Sequence, residues 1–229
     1  QMKRLNRAHA MLATALWLSL PVLAHDYWLT PGEFTPAVGT ETEILLCSGH
    51  SFPKHSTDTH GYRVHEAVMM APGGESIPLT IEHNDKGTSA RVAFQTNGTY
   101  MVSFSLAGPK KKEPAYWTRS LVVVGDQSRA EDNRQTGTGM EIVPGAGWQD
   151  VKVNDSLPLS VAYNGRTIRA LISISREDGR VSHIRSSTRR PAMLKIKTPG
   201  RYLVIASVAG NRCSLTFVVA RGGGSLALR

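Results

Sequence analysis

Two β-sandwiches in tandem are the fold this sequence predicts, and three observations predict it. Beyond residue 24, no segment holds a helical period of apolar residues for long. Short runs rich in Val, Ile, Thr, Tyr and Leu recur instead, separated by Gly, Pro, Asn and Asp, the pattern of closely spaced strands and turns. An internal echo completes the case. "TNGTYMVSFS" from Thr96 and "TPGRYLVIAS" from Thr198 begin 102 residues apart, close to the span of one sandwich. In each, a turn glycine stands two residues before a tyrosine that opens an apolar strand. In immunoglobulin-like sandwiches such a tyrosine sits at a strand corner and bonds its hydroxyl to nearby backbone. The expected fold class is therefore all-β, two tandem immunoglobulin-like β-sandwich domains after a cleaved signal peptide.

The elements follow in order. Residues 1–24 read as an export leader: Lys3, Arg4 and Arg7 precede the apolar "AMLATALWLSLPVLA", and Val22 and Ala24 suit a peptidase site. Cleavage there makes His25 the first residue of a periplasmic protein. A first sandwich with a histidine-rich loop is expected over 25–126, from the runs 42–47, 62–70, 89–95, 99–106 and 117–124. The polar stretch "GDQSRAEDNRQTG" then marks a linker at 127–137. A second sandwich is expected over 138–220, from the runs 157–163, 167–176, 181–186, 192–198, 201–208 and 213–220, followed by a flexible tail at 221–229.

Charge narrows the partners. The chain carries +9 at pH 7, or +6 without the leader's three basic residues. Those charges are scattered apart from "PKKKEP" at 109–114 and "STRRP" at 187–191, and no recognition motif accompanies them, so nucleic acid is not an expected partner. Cys47 and Cys213 fall in opposite halves, and an oxidising compartment leaves open either a bridge or two buried thiols.

The chemistry concentrates in "CSGHSFPKHSTDTHGYRVHEA", from Cys47. His50, His55, His60 and His65 recur every fifth residue, with Asp58 and Glu66 among them. Neutral imidazole is a common ligand for divalent transition metals. A strand over "TEILLCSGH" ends at His50, Pro53 starts a loop closed by Gly61, and "YRVHEAV" returns as a strand. His50 and His60 then stand at the two feet of one loop. His65 shares a strand face with Arg63 and Ala67 and can turn to the same space; His55 sits at the tip. A mature His25 adds an amine and an imidazole on one residue. The expected metal ligands are His25, His50, His60 and His65. His83 and His183 read as ordinary hydrogen-bonded histidines. Neither a zinc-protease HExxH motif nor a GxSxG nucleophile elbow is present.

Several of these stretches together resemble the DUF4198 family, also described as a nickel- or cobalt-uptake substrate-specific region. They are "AHDYWLTP" at Ala24 to Pro31, "GHSFP" from Gly49, "MEIVP" at Met140 to Pro144, "DSLPLSVAYNG" at 155–165 and "PGRYLV" at 199–204. His25, Asp26 and His50 match motif positions, whereas His55 and His60 lie where the family varies. After "YNG" this chain has "RTIRAL" in place of the family's usual turn. The resemblance implies a periplasmic accessory of metal uptake, partnered by inner- or outer-membrane transporter components.

The leading expectation is a protein that binds a divalent transition metal, nickel or cobalt first and copper or zinc next. A second is a copper oxidase or monooxygenase built on the amine-plus-ring chelate of His25, with Tyr27 or Trp28 beside it. A third is a structural or adhesion module with no metal.

Overall fold

The computed structural model describes residues 25–110, 112–125 and 135–220 of the 229-residue chain. The expected leader, most of the expected linker and the tail lie outside the described residues. Seventeen strands are present there. The first half supplies β1 (Asp26–Pro31), β2 (Glu41–Ser51), β3 (Lys54–Ser56), β4 (Arg63–Met70), β5 (Ser76–Pro78), β6 (Ile81–Asn84), β7 (Gly87–Ala93), β8 (Gly98–Ala107) and β9 (Pro114–Val124). The second supplies β10 (Met140–Pro144), β11 (Ser156–Tyr163), β12 (Arg166–Ile168), β13 (Ala170–Arg176), β14 (Val181–Ser186), β15 (Ala192–Lys195), β16 (Gly200–Val208) and β17 (Asn211–Val219). Among the described residues no helix is long and apolar enough to cross a membrane.

The strands build three sheets. An eight-stranded sheet runs β14-β13-β16-β17-β9-β8-β4-β5 and contains strands of both halves. Its one parallel pair, β17 on β9, joins them, with Arg212 opposite Tyr116 and Thr216 opposite Ser120. A sheet ordered β1-β2-β7-β6, with β3 on β2, forms the first sandwich with this long sheet, and β10-β11-β12, with β15 on β11, forms the second. Side-chain alternation feeds the two cores from opposite faces of the shared strands. On β9, Tyr116, Val122 and Val124 enter the first core. Trp117, Leu121 and Val123 enter the second, where Leu215, Phe217 and Tyr202 meet them.

Both tyrosine corners form as the echo implied. Tyr100 donates its hydroxyl to the Thr96 carbonyl at 3.1 Å, and Tyr202 donates to the Thr198 carbonyl at 2.7 Å. Gly98 and Gly200 take φ of 136° and 114° just before them, a conformation that costs glycine little.

Three local readings are corrected. β2 does not stop at His50: it runs through Gly49 to Ser51 and folds back on β3 after an irregular register between Ser48 and Ser51. The "TIRALISISR" run is two strands, because the chain leaves the small sheet after β12 and enters the long sheet at β13, with Arg169 at the corner. In β4 the register slips between Val64 and Glu66, so His65 occupies a bulge and strict alternation fails there.

Cys47 and Cys213 are both free and buried. Cys47 packs with Trp28, Phe52, Leu203 and Ile205, whereas Cys213 belongs to the second core. Burial pushes the Cys47 thiol up to about 11 and the Cys213 thiol up to about 12.

A buried ion pair ties the halves where the main chain passes between them. Arg119 on β9 and Glu141 on β10 each have side chains 1% exposed, 3.8 Å apart. Arg119 donates to the carbonyls of Met140 at 2.7 Å and Thr138 at 2.8 Å. Glu141 accepts from the amides of Thr136 at 2.9 Å and Gly137 at 3.1 Å. Removing one partner strands the other charge inside the protein, at a cost of about 3–5 kcal/mol. Arg119→Leu should therefore lower the urea midpoint markedly. Arg119→Leu with Glu141→Leu should recover part of the loss, read by denaturant titration.

Candidate metal centre

The site begins with strand register. β1 and β2 are antiparallel, and Asp26 pairs with Gly49. One step outward, the cross-strand neighbours are His25 and His50, whose ring centroids lie 4.2 Å apart. Beside them, Gly49 lets Trp28 and the Lys54 carbonyl pack closely, since a Cβ there would come within 3.2 Å of the Trp28 ring and 3.1 Å of that carbonyl.

His60 arrives from the loop. The Tyr62 amide donates to the Thr59 carbonyl at 2.9 Å, closing a turn whose central residues are His60 at φ 49° and Gly61 at φ 78°. Positive φ at both central positions defines a type I′ turn, where Asn, Asp or Gly is the usual first residue. Histidine there is a departure from local preference, held by an Asp58 carboxylate that accepts the His60 amide at 2.7 Å. The turn lays the His60 ring over His25 with centroids 3.8 Å apart. His25 thus lies between the other two rings.

Anchors fix the loop on the sandwich. Ser48 donates its hydroxyl to the Asp58 carbonyl at 2.6 Å, and Tyr27 donates to the Thr59 carbonyl at 3.0 Å. Asp58 also faces His60 Nδ1 at 3.4 Å. A carboxylate on Nδ1 favours the proton there and leaves Nε2 as a donor atom for an ion.

The strand tip itself is held from the far end of the chain. Arg212, at the start of β17, forms a charge-paired hydrogen bond with Asp26, and its other nitrogen donates to the His25 carbonyl at 3.4 Å. Its partner in register, Tyr116, accepts the Tyr27 amide at 3.1 Å, and the Arg212 guanidinium lies 5.5 Å from the Tyr116 ring centre. Burial raises the Asp26 carboxyl above its ordinary value, while Arg212 pulls it down.

Of the expected ligands, His25, His50 and His60 come together. His65 does not join them: it stands exposed on its bulge. His55 is exposed, its Nδ1 3.1 Å from the Pro53 carbonyl. His83 pairs with the Thr88 hydroxyl at 3.1 Å. The roles of Asp58 and Arg212 were not anticipated from the sequence. For Asp58, its place two residues before a histidine–glycine turn is the available signal; for Arg212 there is none. Among the described residues no three His, Cys, Asp or Glu side chains have their donor atoms already converged for an ion. The His60 ring stacks on His25 and the His50 ring is tilted 38° to it.

Crowding leaves an electrostatic mark. The His25 imidazole is held below its ordinary 6.5, first by burial, then by positive charge on His60 and on His50; Asp58 and Asp26 act the other way. A ring held low prefers to be neutral, so below 6.5 the unfolded chain binds more protons than the folded one. Stability is then complete above the ordinary value and lost as pH falls through the lowered one. Melting temperatures measured in chelator from about pH 8 to pH 5 should fall on the acid side. His25→Gln should flatten that fall and leave the alkaline plateau in place.

Residues 22–210 match the family described as "Domain of unknown function (DUF4198)". No curated protein matches the chain. Among solved structures, the chain is similar to a biofilm-associated protein's BSP domain at 13% identity, covering 86% of this chain and 30% of that one, with a TM-score of 0.28. The Escherichia coli adhesin FdeC gives 18% identity, 88% and 66% coverage and a TM-score of 0.27. A two-domain fibronectin type-III segment of chicken tenascin gives 13%, 83%, 96% and 0.25. The chain spans less than two thirds of the first two structures. With a family match running from residue 22, before His25, to residue 210, just before β17, the chain belongs to the DUF4198 family.

Proposed function

We propose that the protein is an exported, periplasmic carrier of a divalent transition metal, nickel or cobalt first and copper or zinc next, serving metal uptake or handling beside membrane transporter components. The observation that carries this reading is the placement of His25 between His50 and His60, with ring centroids 4.2 Å and 3.8 Å away. Three imidazoles suit these ions. Once the leader is removed after Ala24, the His25 amine adds a fourth nitrogen on the same residue. The tip is partly open to solvent, as a carrier that must give up its cargo requires. Because each donor must be deprotonated to bind, acidification favours release.

The aromatic residues that an oxidase would need at this chelate are otherwise engaged. Tyr27 bonds the Thr59 carbonyl, and Trp28 is buried against Phe52, Leu203 and Ile205. The carrier reading makes no demand on them.

The test uses exported protein with His25 as its first residue and a form with one extra residue ahead of it, each titrated with nickel, cobalt, copper and zinc by calorimetry. The extended form should bind at least about tenfold more weakly. His60→Asn should lose a similar factor while keeping its melting temperature, because asparagine is at home at positive φ. Equal affinity in all three forms would remove both the amine and His60 from the site.

A further inference from the structure

Among the described residues, one face of the long sheet is covered only in part. Leu203 and Ile205 of β16 are sealed by Trp28 and Phe52 from the first half. The neighbouring strands β13 and β14 continue the same face beyond that seal. Leu171 stands there between two cross-strand partners, Arg185 on β14 and Ser207 on β16. It is 51% exposed, and Val181, two rungs along, is 58% exposed. A groove of about 300 Å³ opens at this end, lined by Arg169, Leu171, Arg185, Ser207 and Val208.

Among the described residues the charges on its rim have no carboxylate partner. Arg119, Arg176, Arg180 and Arg201 meet Glu141, Asp178 and Glu177. Among the described residues Arg169 and Arg185 meet no acid. Residues 138–220 hold twelve Lys and Arg against five Asp and Glu, whereas 25–125 hold eight against ten. The groove therefore combines an apolar floor, the exposed Leu171, with two guanidinium groups that no acid meets among the described residues, set in the basic half of the chain. Arginine on such a rim recognises carboxylates in a fixed fork geometry.

We propose that this groove docks an acidic segment of a partner protein, with an apolar side chain on the exposed Leu171 and carboxylates on Arg169 and Arg185. A bare polyanion would leave the apolar floor unfilled. The location gives docking a consequence. Ser207 accepts a hydrogen bond from Arg212 Nε at 3.1 Å, and the same guanidinium pairs with Asp26 beneath the histidine tip. One side chain separates a docked partner from the proposed metal. The docking stands on its own observations and does not need the metal reading.

The test is an NMR titration of isotopically labelled exported protein with the capped hexapeptide Glu-Asp-Leu-Leu-Asp-Glu. Saturable shifts at the amides of Leu171, Arg185 and Ser207 are expected. Arg169→Glu with Arg185→Glu, both at exposed positions, should weaken binding by about tenfold. Leu171→Asp should also weaken it, and nickel affinity should stay unchanged in both variants. Several results would overturn the proposal: no saturable shift, shifts confined elsewhere, or an equal response to hexaglutamate. Stronger binding of the same residues to phosphatidylglycerol vesicles would do so too. So would concentration-dependent self-association through Leu171 without peptide.

Discussion

Most of this structure depends on one backbone ladder, the parallel pairing of β17 with β9. It makes the central sheet continuous through both halves, so each core rests on a different face of the same strands. It also sets Arg212 opposite Tyr116, directly beneath the start of β1. Tyr116 takes the Tyr27 amide and Arg212 takes the Asp26 carboxylate. Further along, Thr216 donates its hydroxyl to the Leu29 carbonyl at 2.7 Å. The edge strand that carries His25 is thus tied at three points to residues contributed by both halves.

Such anchoring explains how three imidazoles stay close. Stacked rings that can each acquire a proton repel one another in acid, and a frayed strand end would let them separate. Here β1 is pinned below, the 57–61 turn is pinned by Ser48 and Tyr27, and Gly49 admits Trp28 against the backbone of β2. The histidine in the left-handed position of that turn is a local conflict resolved by its surroundings. Departures of this kind gather at sites where position is worth more than local stability. Asp58 serves both needs, holding the His60 amide and facing its ring.

The Arg212 side chain links the histidine tip to the open end of the long sheet, bonding Asp26 on one side and Ser207 on the other. The first half contributes the three clustered imidazoles. The second contributes the cation that positions them and the arginine-lined face beside them. An immunoglobulin-like pair sharing one sheet is stiff across its junction, because bending it would break ladder bonds and expose the Arg119–Glu141 pair. Geometry set in one half is therefore kept in the other.

The sequence alone determined most of the longer strands, the two-sandwich class and the tyrosine corners, because each is written in local alternation and in the turn residues beside it; the short strands β3, β5 and β6, and the break between β12 and β13, were not legible there. It also nominated His25, His50 and His60, since histidine density and an expected new amino terminus are visible without coordinates. His65 shows the limit of that reading: a one-residue bulge turns a side chain away, and no residue type at Val64 or Glu66 announces it. The tertiary structure alone decided the shared sheet, the separation of Cys47 from Cys213, and the part played by Arg212. Pairing between strands nearly a hundred residues apart is set by which edges remain open once the local hairpins have formed. That is a property of the assembled sheets and is carried by no single stretch of the chain.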